Sequence, residues 1–141
     1  MTWLVDTNVV LDVWGADATF GRRSAQVLSQ CAGEGVLVVN PVVIAELSSA
    51  SGSLDELDEL LPPTLFRRDP IPVEASFLAG RAFSTYTFST YKRRGGAKGR
   101  MLADFLIGAH AAVAGFGLIS CDEGYTSYFR LELLNPADAE V

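Results

Sequence analysis

Histidine and cysteine, the usual ligands of zinc, are almost missing: the 141 residues hold one His and two Cys. Cys31 and Cys121 show no metal-ligand spacing, so they read as reduced, mostly buried thiols of a cytoplasmic protein rather than a zinc site or a disulfide framework. No apolar run approaches the ~18 residues of a membrane helix. No Lys or Arg precedes Arg22, so the basic region of a signal peptide is absent. "GGAKG" is not a phosphate-binding P-loop, because it lacks the G-x-x-x-x-G-K-[ST] pattern. No Ser/His/Asp or Cys/His set can be assembled for nucleophilic catalysis. Repeats, low-complexity tracts and linkers are absent too, which leaves residues 1–141 as a single domain.

Acidic residues are unevenly missing. The net charge is −6, which argues against a wholly basic nucleic-acid surface. Yet residues 75–103 contain no Asp or Glu, while Arg81, Lys92, Arg93, Arg94, Lys98 and Arg100 all fall there. Such a strip is either a solvated helix end and loop or a local attractor of phosphate.

With 49% hydrophobic and 20% charged residues, the composition is that of a soluble globular domain. "TWLV" reads as a short buried strand ending at Asp6, followed by the helical "VVLDVW" that Gly15 stops. In the next helical run Phe20, Ser24, Val27, Leu28 and Cys31 share a face, and Gly33 and Gly35 end it. "VLVV" is a second strand. Asn40 caps the helix after it, and Pro41 suits that helix's first position. Leu54, Leu57, Leu60 and Leu61 form a helical stripe with a solvated acidic face behind it. A short strand in "TLFRR" leads to a long helix over "PVEASFLAGRAFSTYTFSTYKRR". Helix "MLADFLIGAHAAVAG", strand "FGLIS" and a last strand in "YFRLELL" complete the pattern. Strands alternating with helices predict an α/β fold with a parallel sheet of about five strands, flanked by helices. Sites in such sheets form outside the carboxyl ends of the strands.

Four acids sit in apolar contexts: Asp6, Glu46, Asp104 and Asp122. Each alone could cap a helix, pair with an Arg or hold a turn. Together they suggest convergence at the strand ends. Two carboxylates about 5 Å apart repel by about 3 kcal/mol at an effective dielectric near 20, so a cluster needs a cation. Oxygen ligands without His or Cys suit Mg²⁺ or Mn²⁺, and such ions assist phosphodiester hydrolysis. His110, six positions after Asp104 and turned away from it, is expected to pack or hydrogen-bond rather than share the site.

These segments together resemble the PIN-domain ribonucleases, and most closely the VapC-type toxins of bacterial toxin–antitoxin pairs. "LVDTNVVLD" is similar to the family's opening strand and D-T-N turn, and "NPVVIAEL" to the helix carrying its glutamate. "LADFLIGAHA" is similar to its third segment and "LISCDEGY" to its fourth, in the family's order and over essentially the whole chain. Asn40, Tyr125 and Cys121 depart from the family's usual residues without removing an acid. The resemblance implies a PIN-like three-layer sandwich. It implies that Asp6, Glu46, Asp104 and Asp122 are the catalytic and metal-binding acids, with Asn8 and Ser120 hydrogen-bonded to them. It further implies a homodimer, an RNA substrate and inhibition by a small antitoxin protein that threads a segment into the acidic groove. On this reading Lys92, Arg93, Arg94 and Arg100 are candidate phosphate contacts, while Phe83, Tyr86, Phe88 and Tyr91 belong to core and interface rather than to base stacking.

The function expected is therefore a Mg²⁺- or Mn²⁺-dependent endoribonuclease, with a catalytically silent PIN-type RNA-binding or scaffolding module as the alternative. A haloacid-dehalogenase phosphatase would need a second Asp at position 8, where Asn stands. A receiver domain would need an acidic pair after the first strand and a suitably placed Lys, and neither is present.

Overall fold

The computed structural model describes residues 1–15, 20–94 and 100–138, with backbone alone at 89–94. Five short strands form one parallel sheet: β1 (Thr2–Val5), β2 (Val36–Val39), β3 (Phe66–Arg68), β4 (Gly117–Ile119) and β5 (Leu133–Leu134). Six α-helices accompany them: α1 (Thr7–Trp14), α2 (Phe20–Glu34), α3 (Pro41–Ser48), α4 (Leu54–Leu60), α5 (Val73–Arg94) and α6 (Leu102–Ala114). The strand order is β3-β2-β1-β4-β5. β1 pairs with β2 through Thr2↔Val36 and with β4 through Leu4↔Leu118.

That order follows from the chain's two excursions. The first runs outward from β1 through β2 to β3. The long helical pair α5–α6 then carries the chain back across the sheet to lay β4 on the other side of β1. The strand order reverses there, which opens a crevice at the carboxyl ends of β1 and β4. Asp6 and Ser120–Asp122 sit at those two ends.

Runs of β-branched and leucine residues make β1, β2 and β4, and burial on both faces explains why these do not alternate with polar residues, whereas the edge strand β3 exposes Arg67 and Arg68. Leu4, Val5, Leu37, Val38, Val39, Leu118 and Ile119 are buried and form the centre of the core. From the helices, Val9, Val27, Val43, Leu47, Phe105 and Ile107 close over them. Asn40 caps α3 as expected, its Oδ1 accepting from Val43 N–H at 3.0 Å with Pro41 next in line. α6 ends at Gly115, whose φ of 72° is the left-handed conformation that favours glycine.

The α2 stripe is real except at its first residue: Ser24, Val27, Leu28 and Cys31 are buried, while Phe20 is exposed. Of the leucine stripe Leu57 and Leu61 are buried and Leu54 is exposed, because α4 meets the core along one narrow line. Among the described residues no helix is long and apolar enough to cross a membrane.

Candidate active site

Asp6 is the residue between β1 and α1. Its backbone N–H donates to Ile119 O at 2.9 Å, the last link between β1 and β4. Its carboxylate caps α1, Oδ1 accepting from Thr7 N–H at 2.8 Å. Oδ2 accepts from Ser120 Oγ at 2.7 Å and from Asn8 Nδ2 at 3.3 Å. Ser120 Oγ in turn accepts from Asp122 N–H at 3.0 Å, and Asn8 Oδ1 from Cys121 N–H at 3.2 Å. Asn8 and Ser120 thus lace the two strand ends together and hold one carboxylate between them.

That carboxylate is 5% exposed, and among the described residues no basic side chain is paired with it. Burial pushes its pKa above the ordinary value, and the nearby charge of Asp104 pushes the same way. The hydrogen bonds from Ser120, Tyr125 and Thr7 act against that shift without cancelling it. Burial likewise raises the buried Tyr125 hydroxyl, with the charge of Asp6 next in size, so the phenol stays protonated and able to donate to Asp6. Raising a carboxylate's pKa by desolvation and a like charge marks a position that would welcome a cation.

Asp104 occupies the first turn of α6, where the helix dipole favours an anion. It reaches back to accept from Met101 N–H at 3.1 Å. Glu46, on the exposed side of α3, accepts from Thr7 Oγ1 at 2.8 Å. Asp122 is engaged differently. Arg100 grips it in a two-pronged ion pair, both N···O distances 2.7 Å, and Gly124 N–H donates to the same carboxylate at 2.9 Å. These bonds, Arg100's first, hold the Asp122 carboxyl below its usual range.

Asp6 and Asp104 are therefore brought within electrostatic reach of each other, while Asp122 is turned onto Arg100 and Glu46 onto Thr7. Among the described residues no three Asp, Glu, His or Cys side chains gather as a ready-made metal-binding group. The donor chemistry nevertheless fits a hard divalent cation, because each acid presents oxygen and the adjoining thiol does not compete. Cys121 Sγ faces Asp12 at 3.7 Å, and burial with that acid pushes its pKa up to about 11, so it remains a neutral thiol.

His110 stands apart from the carboxylates, bonded to Asn40 in the core. Phe83 and Tyr86 join an aromatic cluster with Phe105 and Tyr128 at centroid distances of 5.1–6.5 Å. Phe88 is exposed on α5. The side chains of Tyr91, Lys92, Arg93 and Arg94 and the whole of Lys98 lie outside the described residues. Arg100, grouped with that basic strip in the sequence, instead folds back over the carboxylates.

Three contributors were not legible as such. Thr7, singled out only as part of the D-T-N turn, is the hydroxyl that donates to Glu46. Tyr125 stood out as a departure in "DEGY" and proves to be the phenol beside Asp6. Arg100 gave no sign of pairing with an acid 22 positions away.

The PIN domain profile matches residues 3–130. No match appears among curated proteins. Among solved structures, VapBC-1 from nontypeable Haemophilus influenzae has a chain similar to this one at TM-score 0.69 and 18% identity, covering 98% of this chain and 100% of that one. FitAcB from Neisseria gonorrhoeae gives 0.66 and 20%, covering 97% and 99%. VapBC2 from Rickettsia felis, bound to a DNA fragment from its promoter, gives 0.65 and 18%, covering 96% and 98%. At such identities the likeness establishes a shared fold.

Proposed function

The chain belongs to the PIN domain family, and from that premise we propose that it is a Mg²⁺- or Mn²⁺-dependent endoribonuclease, the VapC-type toxin of a bacterial toxin–antitoxin pair. The observation that carries this reading is Asp6: a buried carboxylate without a basic partner among the described residues, next to Asp104, at the point where the strand order reverses. Asp6 and Asp104 would hold the ion directly, Asp122 would join them, and Glu46 would complete the shell or orient water. When bound, the ion supplies a lowered water pKa and positive charge for the phosphate. Ser120, Asn8 and Tyr125 fix the Asp6 carboxylate so that its geometry is set before an RNA arrives. Thr7 does the same for Glu46.

The resemblance also supports a cytoplasmic homodimer held in check by a small antitoxin. An apolar groove of about 560 Å³ lies between α1, α2, α4 and β3, lined by Val10, Val13, Trp14, Leu28, Leu65 and Phe66. Its occupant in this reading is an apolar segment of the antitoxin, since structural neighbours of this fold are toxin–antitoxin complexes. Trp14→Glu should then abolish co-purification with the product of an adjacent small reading frame.

The silent-module alternative is favoured by one observation, the capture of Asp122 by Arg100. A single experiment decides between them. Purified protein is incubated with total RNA and Mg²⁺ or Mn²⁺, with and without EDTA, beside Asp6→Asn. Cleavage lost with chelator and in the variant supports the nuclease. Chelator-resistant cleavage, or equal cleavage by the variant, removes it.

A further inference from the structure

Arg100 is held over the acidic crevice by more than its ion pair. Its backbone N–H donates to Tyr86 Oη at 2.6 Å, fixing the residue between the end of α5 and the start of α6. Its guanidinium lies 5.7 Å from the Tyr125 ring centroid and 5.6 Å from that of Tyr128, within cation–π range of both. Gly124 forms the floor: a methyl group there would overlap Arg100 Nη2. The pair is also shielded, with side-chain exposures of 21% for Arg100 and 35% for Asp122. A two-pronged guanidinium–carboxylate pair engages both oxygens of the acid, and Gly124 N–H takes a further site on Oδ1, so Arg100's grip sets a positive charge against the face of Asp122 that an ion would use.

Resting on the metal-nuclease reading above, we infer that Arg100 is a tethered competitor of the divalent ion: guanidinium and metal are alternative partners of Asp122. With Arg100 on Asp122, the site offers Asp6 and Asp104 without their third acid, and metal affinity is weakened. Metal loading then requires the guanidinium to withdraw. The aromatic pair and Gly124 make the closed position a built one. The flexible four-bond arm of arginine makes withdrawal sterically simple.

The test is Mn²⁺ titration of the metal-free protein by calorimetry, with no RNA present. Arg100→Ala should bind Mn²⁺ at least tenfold more tightly than the wild type. Gly124→Ala supplies an independent arm: its added methyl overlaps the guanidinium and evicts it, while only crowding Asp122 Oδ1 at 3.1 Å and leaving every charge in place, so its affinity should rise in the same direction. In an Asp122→Asn background, Arg100→Ala should change affinity less than twofold, because the contested carboxylate is gone. Circular dichroism of each variant establishes that it is folded; if Arg100→Ala does not fold, Gly124→Ala decides the matter. Equal or weaker Mn²⁺ binding by the folded variants overturns this inference and leaves the nuclease reading intact. No Mn²⁺ binding by any form, wild type included, overturns both.

Discussion

Asn40 and His110 form a buried pair that joins the start of α3 to the middle of α6, 3.2 Å from amide nitrogen to ring Nδ1. Asn40 Oδ1 already accepts from Val43 N–H, so the amide NH₂ faces the ring and donates. Nδ1 must then be unprotonated, which places the ring proton on Nε2. Burial lowers the His110 pKa from its ordinary 6.5. A lowered pKa means that below pH 6.5 the unfolded chain binds a proton the folded one resists, so stability falls as pH drops through that window. Above it both states are neutral and no penalty remains. Urea denaturation between pH 7.5 and 5.5 should show this loss, and His110→Gln should flatten it. An unchanged slope in the variant would assign the effect to other groups. Asp6, whose pKa is raised, contributes with the opposite sign.

A bound ion should also stabilise the fold. At a Mn²⁺ concentration a hundred times its dissociation constant, linkage adds about 2.7 kcal/mol, worth roughly 8 °C of Tm in a domain of this size. Asp6→Asn and Asp104→Asn should abolish that shift. Glu46→Gln should retain most of it, because the exposed Glu46 carboxylate is bonded to Thr7 rather than to the other acids. Thermal melts with and without Mn²⁺ measure all three. A full shift in Asp104→Asn would remove that residue from the metal site.

The sheet was legible because its evidence is local. Apolar runs of four, a cap-and-proline pair at Asn40–Pro41, and an Asp at a strand end each declare themselves within a few residues. The strand order was not legible in the same way, since nothing local in "FGLIS" says that β4 returns to β1. The candidate acids could be picked out by their apolar flanks, but their partners could not. Arg100 joins Asp122 through a closure of 22 positions, and Thr7 reaches Glu46 across 39. Such pairings depend on where helices land, which short-range pattern does not encode. The edge of the amphipathic stripes failed for a related reason. Phe20 and Leu54 keep the helical period but stand at helix starts, beyond the reach of the sheet that buries their successors.

Ser120 carries more of the site than its size suggests. It is fully buried, donates to Asp6 and accepts from Asp122 N–H. Ser120→Ala leaves both groups short of a partner, at a cost of about 1–3 kcal/mol. Ser24 makes the converse case. Among the described residues its hydroxyl is the buried side-chain oxygen without a hydrogen-bond partner. Ser24→Ala should therefore be neutral or stabilising by up to about 1 kcal/mol. Chemical denaturation should show Ser120→Ala destabilised and Ser24→Ala unchanged or more stable. Equal destabilisation would mean that Ser24 has a partner after all.

Two helical glycines separate propensity from packing. Replacing a mid-helix glycine by alanine ordinarily gains about 1 kcal/mol. Gly80, exposed on α5, has no atom within 4 Å of where the methyl would go, so Gly80→Ala should realise most of that gain. Gly108 on α6 is buried, and its methyl would come within 2.5–2.6 Å of the Phe129 ring and 2.9 Å of Tyr125. Overpacking of that kind typically costs 1–3 kcal/mol and more where rings cannot turn. Phe129 is edge-on to Phe105 at 6.0 Å, and Tyr125 holds its hydroxyl on Asp6, so neither ring can yield freely. Packing therefore outweighs propensity, and Gly108→Ala should lose about 1–2 kcal/mol net. On the nuclease reading proposed above, it should also lower RNA cleavage, because Tyr125 moves with its ring. A stable Gly108→Ala protein with undiminished cleavage would show that Tyr125 is not held as tightly as its contacts imply.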